Sequence, residues 1–447
     1  MYTIFFREDL RMKKALSWIG ILLLVFQLSV PVFAENDQKQ PDVKAAAAIL
    51  VDQGSGRVLF EKDADAKHYP ASTTKIMTAL LAIESLSTAD SVTASRTAVD
   101  VDRDGSNMGI LEGEVLTVEQ LLYGLMVHSA NDAANVLAET VTGSIESFVE
   151  KMNARAAEIG MSGTHFANPH GYHDDNHYTT ARDLSLLAGI AMQNELFAKI
   201  VATPVYEIPP TEKYKETRHL SNNNSLINPM KGRKYLYSAA TGIKTGHTSK
   251  AGNCLVSSAS KDGTSLICVV LDAPDTDGTN YSFADSITLF QYGFDNFKTQ
   301  TISDTDEILA TREVKWAAGN AQAILSAKEP VSALLPVDYD KAALEKTIEV
   351  PDVIKAPLAE GETIGSITYT YEGITLGKVD VINTKAVKKS YVRMIFGTIL
   401  RCLLSVWVMV PLGILVIVLL ILRWLELKRR QKRRRQRKYA SRRNFYR

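Results

Sequence analysis

Hydrophobic positions follow a strand pattern at both ends of the main body of the chain and a helical pattern between them. Two apolar runs on either side of a Gly-containing turn predict a β-hairpin over residues 46–60. Over residues 72–193, apolar residues recur every three or four positions, which indicates helices. Strand patterns return over 253–271, and a last helix is predicted over 283–294. This order predicts an α+β domain over residues 35–297, with a mainly helical insertion.

The pattern changes after this domain. Residues 298–306 are polar and predict a linker. Short strand patterns separated by turns, such as Glu372-Gly373, then predict a small β domain over residues 307–384. We interpret this domain as a spacer. Residues 402–422 carry no charge and are long enough to cross a bilayer as one transmembrane helix.

The first residues have the order of a secretory signal. Met12-Lys13-Lys14 precedes an apolar stretch that ends at Phe33, and small residues lie before Glu35. Residues 1–34 are therefore predicted to be a signal peptide. An uncleaved signal anchor is the alternative interpretation.

The net charge of +1 is unevenly distributed. Residues 423–447 carry +12, residues 1–34 carry +2, and the residues between them carry −13. An acidic body with a basic tail is not the profile of a nucleic-acid-binding domain. By the positive-inside rule, the tail is expected in the cytoplasm, with its charges near anionic lipid of the bilayer. The body is then expected outside the cytoplasmic membrane.

Cys254 and Cys268 flank a predicted hairpin turn and could face each other across two strands. Two buried thiols are favoured over a disulfide, although the spacing allows both. A third cysteine, Cys402, lies at the start of the apolar C-terminal stretch. The sequence has no CxxC or His/Cys cluster, and we expect neither a metal ion nor a cofactor.

Three short motifs carry the candidate chemistry. They are Ser72-Thr73-Thr74-Lys75, Ser129-Ala130-Asn131 and Lys244-Thr245-Gly246. Ser258 and Lys261 repeat the first spacing, and Ser221 and Asn223 repeat the second, so spacing alone is not decisive. Context selects the first set: Ser72 begins a predicted helix, which puts Lys75 on the same face. The second motif lies between two helices, and the third begins the later strands.

A serine hydroxyl is a poor nucleophile until a base takes its proton. The sequence has no evident Ser-His-Asp arrangement, so Lys75 is the candidate base for Ser72. A free lysine titrates near pH 10.4. Desolvation and a nearby Lys244 would both lower the pKa of Lys75 enough to make it a base.

These motifs, in this order, are a signature of penicillin-binding proteins and class A β-lactamases. Further segments also resemble low-molecular-weight penicillin-binding proteins of the D-Ala-D-Ala carboxypeptidase type: Tyr69-Pro70-Ala71, Asn168-Pro169-His170-Gly171, residues 177–184 and residues 241–248. The resemblance covers about residues 45–297, and the β domain is similar as well. It implies a β-lactamase/transpeptidase-like fold, with an antiparallel sheet and a helical subdomain. The implied substrates are peptidoglycan stem peptides that end in D-Ala-D-Ala, and β-lactams are implied as covalent inhibitors.

The resemblance also implies roles for the remaining motif residues. Ser129 would relay a proton to the leaving D-alanine, and Asn131 would hold the substrate amide. Lys244 would add positive charge, Thr245 would bind the terminal carboxylate, and Gly246 would let the substrate backbone approach. The backbone N–H groups of Ser72 and His247 would form the oxyanion hole. Family members often carry an arginine before the last helix, whereas residues 280–283 here contain none.

Other functions remain open. A β-lactamase of class A needs an added glutamate base, and residues 166–183 contain no Glu. A DD-endopeptidase would use the same residues. A non-catalytic penicillin-binding sensor would not need the intact motifs. Each motif residue could also have only a structural role, such as a helix N-cap at Ser72. For His177, a structural role is favoured over a catalytic one.

Overall fold

A computed structural model of the protein describes residues 40–443 apart from Arg103, with side chains as far as residue 435. The predicted signal peptide, residues 1–34, lies outside the described residues. The prediction of a sheet with a helical insertion is confirmed. In chain order, the elements of this domain are β1 Ala47–Asp52, β2 Val58–Lys62, α1 Lys75–Ser85, β3 Ser91–Thr93, α2 Arg96–Val99, β4 Val115–Thr117, α3 Val118–Val127, α4 Asn131–Thr142, α5 Ile145–Ile159, α6 Ala181–Ala191, α7 Glu195–Val201, β5 Val205–Ile208, β6 Arg218–Ser221, β7 Ala240–Thr248, β8 Gly252–Lys261, β9 Thr264–Ala273, β10 Asp275–Thr276, β11 Thr279–Asn280 and α8 Tyr281–Asn296.

The main sheet is antiparallel, with strand order β2-β1-β9-β8-β7. The predicted hairpin is β1–β2, in which Leu50 pairs with Phe60. Strand β7, which carries the third motif, lies at the edge of the sheet. An edge strand can add an extended peptide through main-chain hydrogen bonds, so this position suits a strand that binds a peptide substrate.

Helices cover both faces of the sheet. Successive side chains of β9 point to opposite faces, so neighbouring residues of this strand contact different helices. Leu266 packs near Gly293 of α8 on one face, and Ile267 lies near Gly189 of α6 on the other. Cys268 is on the α8 side, and its thiol contacts Ser286. Cys254 and Cys268 are both buried and free, so the expected pair of buried thiols is confirmed.

The helical part surrounds α1. The first eight residues of this helix, from Lys75 to Ala82, are all buried. The predicted capping box of α3 is present: Thr117 accepts a hydrogen bond from Gln120 N, and the Gln120 side chain accepts one from Thr117 N. Lys75 is thus held inside a packed core, where a charged side chain is costly unless it is paired.

The β domain begins earlier than predicted. Its elements are β12 Phe297–Ser303, β13 Ala310–Lys315, β14 Gln322–Ala327, β15 Val331–Pro336, β16 Leu344–Glu349, β17 Ile354–Lys355, β18 Thr363–Tyr371 and β19 Ile374–Asn383. The predicted linker 298–306 is wrong over its first part, because β12 pairs with β15. Polar residues occupy β12 because much of that strand is exposed.

The main sheet of this domain has the order β16-β18-β19-β14-β13-β17. Pairing also continues beyond the predicted end at residue 384. Leu358 forms a bridge with Val387, and Ala317 forms one with Lys389.

Two helices follow: α9 Tyr391–Leu403 and α10 Val406–Arg443. The predicted span 402–422 begins too early. Cys402 belongs to α9, and the helical structure is interrupted between α9 and α10. Helix α10 is long and apolar enough to cross a membrane, and its apolar residues are exposed. It is therefore a candidate membrane anchor, and it continues into the basic segment.

Candidate active site

Ser72 lies in a tight turn that precedes α1. Residues Ala71–Thr74 form a 3₁₀ turn that leads directly into the helix at Lys75. Thr73 and Thr74 tie their hydroxyls back to the carbonyl oxygens of Pro70 and Ala71, at 2.7 and 2.9 Å. Ser72 lies within this turn and is not the helix N-cap, and its side chain is half-buried.

The side-chain nitrogen of Lys75 lies at the centre of the site. Its Nζ is 2.9 Å from Ser72 Oγ, 2.7 Å from Asn131 Oδ1 and 2.7 Å from the carbonyl oxygen of His170. The side chain is completely buried. Burial, and then the charge of Lys244, hold the pKa of Lys75 well below its ordinary value, and Asp132 opposes them.

Ser129 and Asn131 lie where α3 ends and α4 begins. Ser129 has a left-handed backbone, with φ of 66°, which turns the chain sharply between the two helices. Both side chains are buried. Because Asn131 accepts from Lys75, the structure brings the second motif into contact with the first.

The third motif lines the opposite wall, on β7. Lys244 is buried, and its Nζ donates to Thr245 O at 2.9 Å. Burial lowers the pKa of Lys244 to about 7. A β-carbon at Gly246 would lie only 3.1 Å from Ser72 N, so the strand backbone passes directly beside the turn that holds Ser72. The ring of His247 is exposed, which leaves its backbone as the part beside the turn.

Two histidines that sequence reasoning did not place in the site support it. His170 contributes its carbonyl oxygen to Lys75. His177 accepts from Ala167 N through Nδ1 at 3.1 Å, so its Nε2 donates to Thr74 Oγ1 at 2.8 Å. Burial lowers the pKa of His177 to about 4, and burial and then Lys75 lower that of His170 to about 3. Both rings are thus neutral near pH 7, and His177 links the backbone at Ala167 to the turn that holds Ser72.

Gly171 explains part of the Asn-Pro-His-Gly segment. It has a φ of 84°, and a β-carbon there would lie 1.8 Å from Ala71 O. Only glycine fits this close approach to the turn that holds Ser72. The segment was visible in the sequence, but its contact with Ala71 depends on the fold.

A loop over residues 105–111 forms a wall beside Asn131. Ser106 O accepts from Asn131 N at 2.7 Å. The Asp132 carboxylate accepts from Met108 N and Ile110 N, at 3.2 and 3.0 Å. Asp132, the first residue after the second motif, thus holds the loop against α4.

A buried ion pair fixes the other side of this loop. Arg218 makes two hydrogen bonds with Glu114, at 2.8 and 2.9 Å, and its Nε donates to Met108 O. Both side chains are almost completely buried. Although burial opposes ionisation, hydrogen bonds from Arg218 hold the pKa of Glu114 below its usual value. Nothing in the sequence signalled this pair, because its members are 104 residues apart.

The site therefore combines a hydroxyl, a buried lysine with a strongly lowered pKa, a second buried lysine and an exposed strand edge. Among residues 40–102 and 104–435, no cluster of His, Cys, Asp and Glu is arranged to hold a metal ion. The fold and this arrangement belong to the structural class of penicillin-binding proteins and β-lactamases.

Comparison with known families narrows this class. Residues 34–275 match the family model described as D-alanyl-D-alanine carboxypeptidase, and residues 297–389 match the C-terminal domain of penicillin-binding protein 5. The first model covers more than half of the chain. The chain belongs to the D-alanyl-D-alanine carboxypeptidase family.

Individual relatives agree with this result. The chain is 33% identical to D-alanyl-D-alanine carboxypeptidase DacF of Bacillus subtilis, covering 85% of this chain and 96% of the relative. It is similar to the crystal structure of penicillin-binding protein 5 from Haemophilus influenzae, with a TM-score of 0.63, 28% identity and coverage of 78% and 99% of the two chains. A structure of the Streptomyces K15 DD-transpeptidase is also similar, with a TM-score of 0.52, 32% identity and coverage of 57% and 100%.

Proposed function

We propose that this protein is a serine-type D-Ala-D-Ala carboxypeptidase that removes the terminal D-alanine from peptidoglycan stem pentapeptides through an acyl-enzyme on Ser72. The observation that carries the proposal is the environment of Lys75. In the neutral form that a base requires, the Lys75 nitrogen has two N–H groups and one lone pair. The carbonyl oxygens of Asn131 and His170 accept the two N–H groups, so the lone pair is left to face Ser72 Oγ.

The first half of the reaction forms the ester. Lys75 takes the hydroxyl proton while Ser72 Oγ attacks the carbonyl carbon of the penultimate D-alanine. The backbone N–H groups of Ser72 and His247 stabilise the oxyanion. Ser129 relays the proton from Lys75 to the nitrogen of the terminal D-alanine, the C–N bond breaks, and that residue leaves while Lys75 becomes neutral again. Thr245 and Lys244 hold its carboxylate, and Asn131 holds the substrate amide.

The second half consumes water. A water molecule gives a proton to Lys75 and attacks the ester, which releases the shortened peptide and returns the proton to Ser72 Oγ. A β-lactam would open on the same serine and remain as a covalent ester. Residues 166–183 approach the nucleophile turn through His170 and His177 but contain no Glu, so nothing there supplies the added base of a class A β-lactamase.

Two related activities use the same acyl-enzyme. Cleavage of a crosslink would make the protein a DD-endopeptidase, and transfer to an amine would make it a transpeptidase. The Streptomyces K15 relative is a DD-transpeptidase, which is a specific reason to measure transfer as well as hydrolysis. A sensor without catalysis is the least favoured function, because Ser72 and Lys75 are in contact.

We also propose a single-pass protein of the bacterial cytoplasmic membrane. Helix α10 supplies the span, and the basic residues that follow it would lie in the cytoplasm. The exposed apolar residues of α9, such as Ile395 and Phe396, would lie against lipid at the outer surface. The catalytic domain would then act outside the membrane, where stem peptides are found.

The detergent-solubilised protein and its Ser72→Ala variant, incubated with a pentapeptide ending in D-Ala-D-Ala, test the activity. The expected product is the tetrapeptide plus free D-alanine, seen by mass spectrometry with the parent protein only. An added D-amino acid separates transfer from hydrolysis by a product of new mass. An intact pentapeptide, or equal release by Ser72→Ala, would refute the proposal.

A further inference from the structure

A charged groove lies directly beside the nucleophile turn. It has a volume of about 310 Å³, and its lining includes Lys67, His68, Tyr69, Lys250 and Asp272. Residues 67–69 lead into Pro70 and the turn of Ser72. One wall of the groove is therefore formed by the residues that directly precede the Ser72 turn. None of the groove residues named here belongs to the three motifs.

The proposed function fixes the direction in which a substrate reaches this groove. The leaving D-alanine is held at Lys244 and Thr245, and the attacked carbonyl lies at Gly246 and His247. An extended peptide advances about 3.3 Å per residue along a strand. The residue before D-Ala-D-Ala therefore lies opposite Thr248, just before the β7–β8 turn that carries Lys250.

The charges of the groove come from separate elements, and Asp175, whose carboxylate lies 3.3 Å from His173 Nε2, adds a second anion beside Asp272. Lys250 lies in the β7–β8 turn, is exposed and makes no ion pair among the described residues. The Asp272 carboxylate is half exposed and lies 3.8 Å from His68 Nδ1. Lys67 is held 4.0 Å from the centre of the Tyr178 ring, which leaves Lys250 as the more accessible cation.

Asp272 is also held in an unusual backbone conformation. Its φ is 50°, in the left-handed region, and its carboxylate faces Gly252, where a β-carbon would lie 2.5 Å from Oδ1. Aspartate and asparagine tolerate this region better than most residues. The turn is thus built so that an anionic side chain projects beside Lys250.

We propose that this groove, between Asp272 and Lys250, is a subsite for the side chain of the stem-peptide residue that precedes D-Ala-D-Ala, and that it selects a diamino acid with a zwitterionic end, of the meso-diaminopimelate type. Asp272 binds the terminal ammonium, and Lys250 binds the carboxylate on the same carbon. A plain lysine side chain satisfies Asp272 only. This inference rests on the proposed function, because the direction of the substrate comes from it.

The test is a comparison of kcat/KM for D-alanine release from three pentapeptides by the full-length protein in detergent. The third residue is meso-diaminopimelate, L-lysine or Nε-acetyl-L-lysine. The wild-type protein is expected to prefer the first peptide over the third by about a hundredfold, with lysine between them, since each of the two lost charge-assisted contacts costs about tenfold.

Two variants test which side chain of the groove binds each charge of the substrate. Asp272→Asn keeps the backbone preference and removes the anion, so the preference for lysine over acetyl-lysine should disappear. Lys250→Gln should remove the preference for meso-diaminopimelate over lysine. Matched controls lie in the β8–β9 turn: Asp262→Asn, where φ is also 50°, and Lys261→Gln. Both controls should keep all wild-type ratios.

Failure of the subsite and failure of the proposed carboxypeptidase activity would give different results. Release of D-alanine from all three peptides with equal kcat/KM would overturn the subsite and leave the carboxypeptidase intact. Wild-type ratios in Asp272→Asn and Lys250→Gln would overturn it as well. If the wild-type protein releases D-alanine from none of the peptides, the proposed function fails and the subsite with it.

Discussion

A lysine can act as a base near neutral pH only where its ammonium form is destabilised, and the surroundings of Lys75 meet this condition. The side chain is fully buried, and the nearby Lys244 lowers its pKa further. Asn131 and His170 orient the nitrogen by accepting its two N–H groups. Burial and orientation together convert an ordinary helix residue into a candidate base.

Replacement of Lys75 by methionine tests this role. Methionine keeps most of the volume, so the core is expected to stay packed, while the base is lost. We expect the rate of Ser72 acylation by a fluorescent penicillin to fall by about 10³-fold. Lys261→Met, in the second Ser-x-x-Lys match of the chain, is the control and should react like wild type. Wild-type acylation by Lys75→Met would show that another group takes the proton.

His177 gives the fold a specific pH dependence. Its pKa is about 4 in the folded protein against 6.5 for the free side chain, so the unfolded chain binds the proton more readily. Stability from this group is therefore complete above pH 6.5 and is lost as the pH falls towards 4. The loss is on the order of 3 kcal/mol.

His177→Gln tests this dependence. Glutamine can still accept from Ala167 N and donate to Thr74 Oγ1, but it does not titrate. Denaturant unfolding between pH 4 and 7 should show a smaller decline for the variant than for wild type. The same decline in both proteins would mean that other groups, such as His170, account for all of it.

At the scale of elements, the loop 105–111 is held between two buried charges, Asp132 on one side and Arg218 on the other. Arg218 is itself neutralised by Glu114, and Asn131 N bonds to the loop at Ser106 O. The Glu114–Arg218 pair thus contributes to the position of Asn131, and through it to that of Lys75.

Removal of one partner of this pair should be costly. Glu114→Gln leaves the buried Arg218 charge unpaired, and we expect the free energy of unfolding to fall by about 3–5 kcal/mol. The control is Glu207→Gln, because Glu207 also makes a short side-chain hydrogen bond, 2.8 Å from His219 Nδ1, but is 68% exposed. The free energy of unfolding of this control is expected to fall by less than about 1 kcal/mol. Similar losses in the two variants, measured by urea unfolding, would contradict a special role for the buried pair.

These elements show what the sequence could and could not predict. The β1–β2 hairpin, the capping box of α3 and the order of the three motifs follow from local patterns, and the structure has all of them. The strand β12 was mistaken for a linker because its exposed residues are polar and its partner β15 lies about 30 residues away. The bonds from His177 to Thr74 and from Arg218 to Glu114 each join residues about 100 positions apart, so no local signal marks them.

At the scale of the whole molecule, the catalytic and β domains are joined by more than the chain itself. Arg57 of the catalytic domain donates to Leu334 O of β15 at 2.7 Å and lies over the rings of Phe297 and Tyr371. Thr264 and Thr299 are also in hydrogen-bond contact. These contacts suit a spacer that holds the catalytic domain in a defined orientation.

Two truncations test the end of the β domain and the membrane anchor. A protein of residues 40–390 lacks both C-terminal helices but keeps the bridges of Val387 and Lys389, so we expect it to be soluble and as active as the full chain. A protein of residues 40–384 loses both bridges and should melt several degrees lower. Equal melting temperatures, measured by circular dichroism, would place the domain end at residue 384 after all.

The most direct measurement is the position of the covalent adduct after reaction with benzylpenicillin, determined by peptide mapping and mass spectrometry. The chain offers Ser72 and Ser258 with the same spacing to a lysine, but only Ser72 lies 2.9 Å from a buried lysine nitrogen. The expected result is one adduct, on the peptide that contains Ser72, and its absence in Ser72→Ala. An adduct on Ser258, or a full adduct in Ser72→Ala, would contradict Ser72 as the nucleophile.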